Sequence, residues 1–181
     1  MSTPPPDRPS TALRSIASAV RGWFAARAPA GSPAPSAPAG RPGGAGTAYP
    51  GDFTGPLTPV YAPRPDGRPD PGEVVWTWVP YEEDHAQGKD RPVLLVGHDG
   101  PWLLALPLTS KDHDRDAAQE ARSGRHWVDI GPGGWDRAGR PSEVRVDRVV
   151  RVATEAVRRE GAVLAPKRFA EVAQALARRR R

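Results

Sequence analysis

Apolar and polar positions begin to alternate at Gly72. In "GEVVWTWVP", Val74, Trp76 and Trp78 fall on one side and Val75, Thr77 and Val79 on the other, the period-two pattern of a strand. A polar loop, "YEEDHAQGKD", leads into "RPVLLVG", a continuous apolar run that predicts a buried strand. Proline lacks an N–H, so Pro92 suits the first position of that strand. "HDGP" carries the Asp-Gly hairpin signal and joins the second strand to a third, "WLLALPLTS". After a long charged loop, "KDHDRDAAQEARSGR", come a fourth strand, "HWVDIG", a Gly-rich turn, "PGGWDRAGRP", and a fifth strand, "SEVRVDRVVRV". A short helix is expected over Thr154–Arg159. A C-terminal helix follows, with Pro166 near its start and Phe169, Val172, Ala173 and Leu176 on its buried face. The arginines that trail it suit the negative end of the helix dipole. About five short antiparallel strands and then a helix define a mainly β fold with a C-terminal helix, a small, partly open barrel covered by that helix.

Upstream of Gly72 the pattern is lost. Sixteen of the 23 prolines lie there, among Ala, Gly and Ser, and such a stretch buries too little apolar surface to offset chain entropy. The expected organisation is a mostly disordered tail over 1–71 and one folded domain over 72–181. Within the tail, Leu13, Ile16, Ala17, Val20 and Phe24 recur at helical spacing behind Ser10, a suitable N-cap. A helix over 10–28 is therefore expected, formed transiently or on a partner. Its three arginines and one tryptophan give only thin support for a membrane surface.

The formal charge of +5 suggests nucleic acid until its distribution is considered. The tail carries 7 Arg and 4 Asp, and the domain carries 19 basic and 17 acidic groups. Four of those basic groups are the terminal "RRRR", without which the domain is slightly acidic. Only local arrangement can argue for RNA. There is no cysteine, which excludes disulfides and thiolate chemistry. No apolar run approaches the roughly 20 residues of a membrane span, and the first residues lack a secretory pattern. A cytoplasmic protein is the expectation.

The fifth strand carries the strongest candidate chemistry. Residues two apart share a face of a strand, so Val144 and Val146 enter the core while Arg145 and Asp147 stand together on the other side. The ordinary reading of such a pair is a surface salt bridge, worth little. Three further polar positions bear on it: Arg91 and His85 flank the loop before the second strand, and Thr109, with Ser110, ends the third. Each alone has an ordinary explanation as a solvated strand-end or loop group. Other motifs are weaker. His113 among Asp112, Asp114 and Asp116 lacks a metal-ligand spacing, and "GPGGWDRAG" lacks the Lys-Ser/Thr of a phosphate-binding loop.

Taken in order, "GEVVW", "RPVLLVG", "PLTSK" and "SEVRVD" resemble the PemK/MazF family of type II toxin–antitoxin toxins, and the resemblance extends over roughly Gly72 to Leu176. It implies an SH3-like barrel and a homodimeric, metal-independent, sequence-selective endoribonuclease that uses no cofactor. It also implies single-stranded RNA as substrate and a cognate antitoxin that occupies the RNA groove. By that resemblance Arg145 and Asp147 match the general acid and base, Arg91 the Arg before the second-strand Pro, Thr109 the Thr of the "Pro-aliphatic-Thr-Ser" segment, and His85 a loop histidine. The 2′-OH of RNA would attack the adjacent phosphate, leaving a 2′,3′-cyclic phosphate and a 5′-OH. Two features depart from the family. Glu82, Glu83, Asp84 and Asp90 make the loop beside Arg91 acidic for an RNA groove, and the long tail is not part of the compact pattern. Both favour the alternative of a non-catalytic RNA- or protein-binding module on the same barrel.

Overall fold

A computed structural model of the chain describes residues 48–110 and 122–179. The helix expected over 10–28, most of the charged loop and the last two arginines lie outside them. The described residues form strands β1 (Glu73–Pro80), β2 (Gly88–Asp99), β3 (Trp102–Thr109), β4 (Trp127–Gly131), β5 (Ser142–Arg145), β6 (Val150–Ala153) and β7 (Arg159–Val163), then helix α1 (Pro166–Arg179). The strands pair antiparallel in the order β4-β5-β3-β2-β1-β7, with β6 also on β3, and the sheet curls into a half-barrel.

The apolar runs explain the layering. Alternate residues of the central strands feed two cores. Val74, Leu94, Val96, Leu104, Leu106 and Leu108 meet Val144, Val146 and the helix residues Phe169, Val172 and Leu176. On the opposite side Val75, Val79, Val93, Leu95, Leu103 and Ala105 meet Val150 and Val152 of β6. A strand buried on both faces reads as a continuous apolar run, which is the character of "VLLV" and "LLAL". In α1 the fourth buried residue is Ala175 rather than the expected Ala173, which is only partly buried.

Three expectations are corrected. The expected fifth strand is two strands, not one. The chain bends between Arg145 and Val150, so that β5 pairs with β4 and the end of β3 while β6 pairs with the start of β3. The helix expected over Thr154–Arg159 is a single 3-10 turn, Thr154–Ala156, and the chain then returns as β7 along β1. With β6 and β7 the described strands number seven rather than about five.

Residues 48–71, which composition assigns to a linker, contain no helix or strand but lie on the barrel. Phe53, Leu57 and Tyr61 pack against the core that α1 covers. The Phe53 N–H donates to the Val149 carbonyl at 2.8 Å, and the Tyr61 hydroxyl donates to the Leu164 carbonyl at 2.9 Å. Three apolar anchors and these hydrogen bonds tie the strap to the barrel.

The way β2 and β3 part positions the site. Their ladder runs from Asp99↔Trp102 to Val93↔Pro107 and ends there. Pro107 forms the last pair, with Val93, and Pro92 is the next residue of β2; neither has an N–H to carry the ladder further. Beyond that point β2 stays with β1 as far as Gly88, while β3 turns to β5 through Leu108↔Val144 and Thr109↔Glu143. Strand β2 therefore starts at Gly88 rather than at Arg91. Pro92 falls in the stretch that has lost its neighbour on the β3 side, where proline is tolerated as on an edge strand.

Candidate active-site cleft

The gap between the diverging strands is a cleft of about 670 Å³. One wall is the overhang of β2, with Lys89, Asp90 and Arg91, and the other is the end of β3, with Thr109 and Ser110. Arg145 and Arg148 stand at its base and Trp76, Trp127 and Trp135 line its side. That side is braced, because the Trp76 indole N–H donates to the Trp135 carbonyl at 2.9 Å and the Trp135 indole N–H to Ser142 Oγ at 3.0 Å.

Arg145 and Asp147 do meet, although Asp147 sits in the bend after β5 and not on a strand. Arg145 donates from Nε and Nη2 to Asp147 Oδ2 at 2.9 and 2.7 Å. The other Asp147 oxygen, Oδ1, accepts the His126 backbone N–H at 2.7 Å. Both carboxylate oxygens are thus engaged, and the group lies behind Arg145 rather than in the cleft lining. Arg145 also makes a two-pronged contact with Glu82, Nη1 to Oε2 at 3.0 Å and Nη2 to Oε1 at 2.8 Å. Burial alone would lower the Arg145 pKa. The two carboxylates outweigh it and hold the guanidinium above even its ordinary value.

Arg148 is the cleft residue that sequence reasoning missed. Its side chain is 8% exposed. A buried guanidinium requires partners, and it has them: Nε and Nη2 donate to Asp52 at 2.7 and 3.2 Å, and Nη2 to the Pro80 carbonyl at 2.8 Å. Asp52 also accepts the Tyr49 hydroxyl. Burial would raise the Asp52 carboxyl, but the hydrogen bonds from Arg148 and Tyr49 overcome it and hold it below the usual carboxylate range. Burial and the bond to Asp52 push the Tyr49 phenol up, well above its ordinary value.

Of the five residues singled out from the sequence, the structure gathers Arg91, Thr109 and Arg145 in the cleft lining, with Asp147 directly behind. His85 is placed elsewhere. Loop 81–87 closes on itself, with Tyr81 N–H to the Gln87 carbonyl at 2.9 Å and Asp84 accepting from Ala86 N and Gln87 Nε2, each at 2.9 Å. That closure turns the imidazole onto the strap, edge-on to the Tyr49 ring at 5.0 Å between centroids. His85 thus does not line the cleft. No signal local to the sequence marks Arg148, because its partner Asp52 is 96 residues away in a segment that composition describes as linker.

Among the described residues, no three His, Asp or Glu side chains are grouped so as to hold a metal ion. No described helix is long and apolar enough to cross a membrane.

The family model for PemK-like, MazF-like toxins of type II toxin–antitoxin systems matches residues 70–179, and the chain belongs to that family. Solved structures with a similar fold include a MazE–MazF complex from Deinococcus radiodurans, 21% identical, with a TM-score of 0.43 over 62% of this chain and 96% of that one. They also include MazF from the same organism, 24% identical, with the same TM-score and coverage. No curated protein matches the chain.

Proposed function

We propose that this protein is a metal-independent, sequence-selective endoribonuclease, the toxin of a type II toxin–antitoxin pair. In this reading it works as a homodimer in the cytoplasm and is silenced by a cognate antitoxin. The observation that carries the proposal is the convergence of Arg91, Thr109 and the Arg145–Asp147 pair on one cleft in a chain of this family.

RNA supplies its own nucleophile. The 2′-oxygen attacks the adjacent phosphorus, its proton passes to a base, the P–O5′ bond breaks, and O5′ takes up a proton from water. The products are a 2′,3′-cyclic phosphate and a 5′-OH. Arg145 stabilises charge on the phosphorane. A guanidinium held above its ordinary pKa is a poor proton donor, so its contribution is electrostatic. Arg91 grips the phosphate with its forked donors, and Thr109 hydrogen-bonds a phosphate oxygen. Asp147 is the general base, and its Oδ2 reaches the 2′-OH once Arg145 withdraws both Nε and Nη2 from it and turns to the phosphate. Its present engagement favours a second role, positioning Arg145 from behind. Asp147→Asn separates the two, because the amide oxygen keeps the Arg145 bond and cannot take a proton, while the NH2 gives up only the acceptor of the His126 N–H.

The test is cleavage of a mixed-sequence RNA by the full chain, with Arg145→Gln, Arg91→Ala and Thr109→Ala alongside. The proposal expects rates down at least about 100-fold for Arg145→Gln, the scale of losing one charge-stabilising group, and smaller losses for the other two. Equal cleavage by wild type and Arg145→Gln would refute it. The acidic residues Glu82, Glu83, Asp90 and Asp136 in the cleft favour the other reading, a binding module without catalysis. A folded wild-type protein that binds RNA and leaves it intact would establish that one.

A further inference from the structure

Three carboxylates surround the two arginines at the base of the cleft, and they are not equivalent. Asp147 backs Arg145 and is itself fixed by the His126 N–H. Asp52, in the strap that precedes the family's matched range, backs Arg148 and is fixed by Tyr49. Glu82 stands in front. Its Oε1 lies 2.8 Å from Arg145 Nη2 and 3.9 Å from Arg148 Nε, and its Oε2 takes Arg145 Nη1. The carboxylate therefore takes Arg145 in the forked geometry by which an arginine holds a phosphate, with the Arg148 charge 3.9 Å away. It is also the most exposed of the three, at 41% against 13% for Asp147 and 26% for Asp52.

We infer that the place of the Glu82 carboxylate is a phosphodiester-binding site formed by Arg145 together with Arg148, and that Glu82 closes it by standing in for the phosphate. The inference rests on the reading of the cleft as an RNA site and adds a ligand and a regulator to it. Removing Glu82 leaves neither arginine without a carboxylate, since Asp147 and Asp52 hold both guanidiniums in place. The Nη edge of Arg145 then faces the cleft. Loop 81–87 presents Glu82 from a turn closed by its own hydrogen bonds, so the blocking group is held ready without any contribution from the ligand. RNA entering the cleft has to displace a charged, bidentate competitor. The strap, by fixing Arg148, adds a second positive charge behind the site, 3.9 Å from the Glu82 carboxylate.

The test uses the full-length protein and a mixed-sequence pool of single-stranded 2′-O-methyl oligoribonucleotides, which bind but cannot be cut by 2′-OH attack. Affinity is read by fluorescence anisotropy for wild type, Glu82→Gln, Glu82→Ala and the double variant Glu82→Gln/Arg145→Gln, each first shown to be folded by circular dichroism. The expected result is about tenfold tighter binding for both single variants. Their log–log salt dependence should also be steeper by about 0.7, one phosphate contact on a single strand. The gain should vanish in the double variant. Binding no tighter in both single variants overturns the inference, as does a gain that survives in the double variant. Cleavage of ordinary RNA is scored separately. Tighter binding with no cleavage by any variant upholds the site and removes the ribonuclease reading. Cleavage by wild type without tighter binding in the Glu82 variants does the reverse.

Discussion

At the residue scale, the two arginines at the base of the cleft differ in how they are held. Arg145 reaches the cleft, whereas Arg148 is buried and depends on Asp52. Truncating Arg148 to Ala leaves Asp52 without its main partner, and the loss of one member of a buried pair costs about 3–5 kcal/mol. Asp52 is partly exposed, so a loss of about 2–3 kcal/mol is expected from urea titration of Arg148→Ala. The same pair sets a pH dependence. The folded Asp52 pKa lies below its unfolded value, so its contribution to stability is present above the unfolded pKa of about 3.9 and is lost as pH falls through the lower folded value. Wild type should lose stability in that acid window more steeply than Asp52→Asn, as thermal melts below about pH 4 would show. Asp147→Asn bears on the chemistry. As a base, Asp147 imposes an acid limb on the pH–rate profile that disappears in the Asn variant, along with at least about 100-fold in rate. As a positioning group it leaves the limb in place and costs far less.

At the element scale, the split between β2 and β3 creates the site, and two prolines create the split. That much could be read from "RPVLLVG" and "LPLTS" only after the register placed Pro92 and Pro107 at the same end of the ladder. The other strand features show why sequence reading stops where it does. Strands β1 to β4 announce themselves by alternation or by apolar runs. Strand β7, "REGAV", is short, opens on two charged residues with no alternation, and exists because β1 offers it an edge. Strands β5 and β6 look continuous because Val144, Val146, Val150 and Val152 are all buried. The bend between them is a tertiary feature that lets one segment serve two parts of the sheet. Close approach at this edge gives a further prediction. A Cβ on Gly161 would lie 2.1 Å from the Val74 carbonyl oxygen, a backbone atom that cannot move aside alone. Gly161→Ala should lower the urea midpoint by an amount corresponding to about 1–3 kcal/mol, the usual cost of overpacking, with the helix signal retained.

For the whole molecule, the strap from Tyr49 onward belongs with the barrel. Composition hid this, because prolines and glycines dominate the segment and its apolar anchors are only Phe53, Leu57 and Tyr61. Arg91, Thr109, Arg145 and Asp147 were legible as candidates, because strand-end and strand-face polar residues stand out against apolar runs. Glu82 and Arg148 were not, since their meaning lies in contacts across the chain. A truncation that begins after Phe53 removes Asp52 together with the Phe53 anchor and the Phe53 N–H bond to Val149, and is expected to destabilise the barrel more than Arg148→Ala does, which urea titration of the two proteins side by side would show.

The central claim is that this cleft cuts RNA by 2′-OH attack. The most direct test is the end chemistry of fragments made by the full chain from mixed-sequence RNA in EDTA. The account predicts defined fragments that carry 2′,3′-cyclic phosphate and 5′-OH ends and are absent with Arg145→Gln. Intact RNA from folded protein, or fragments with 5′-phosphate ends, would contradict it.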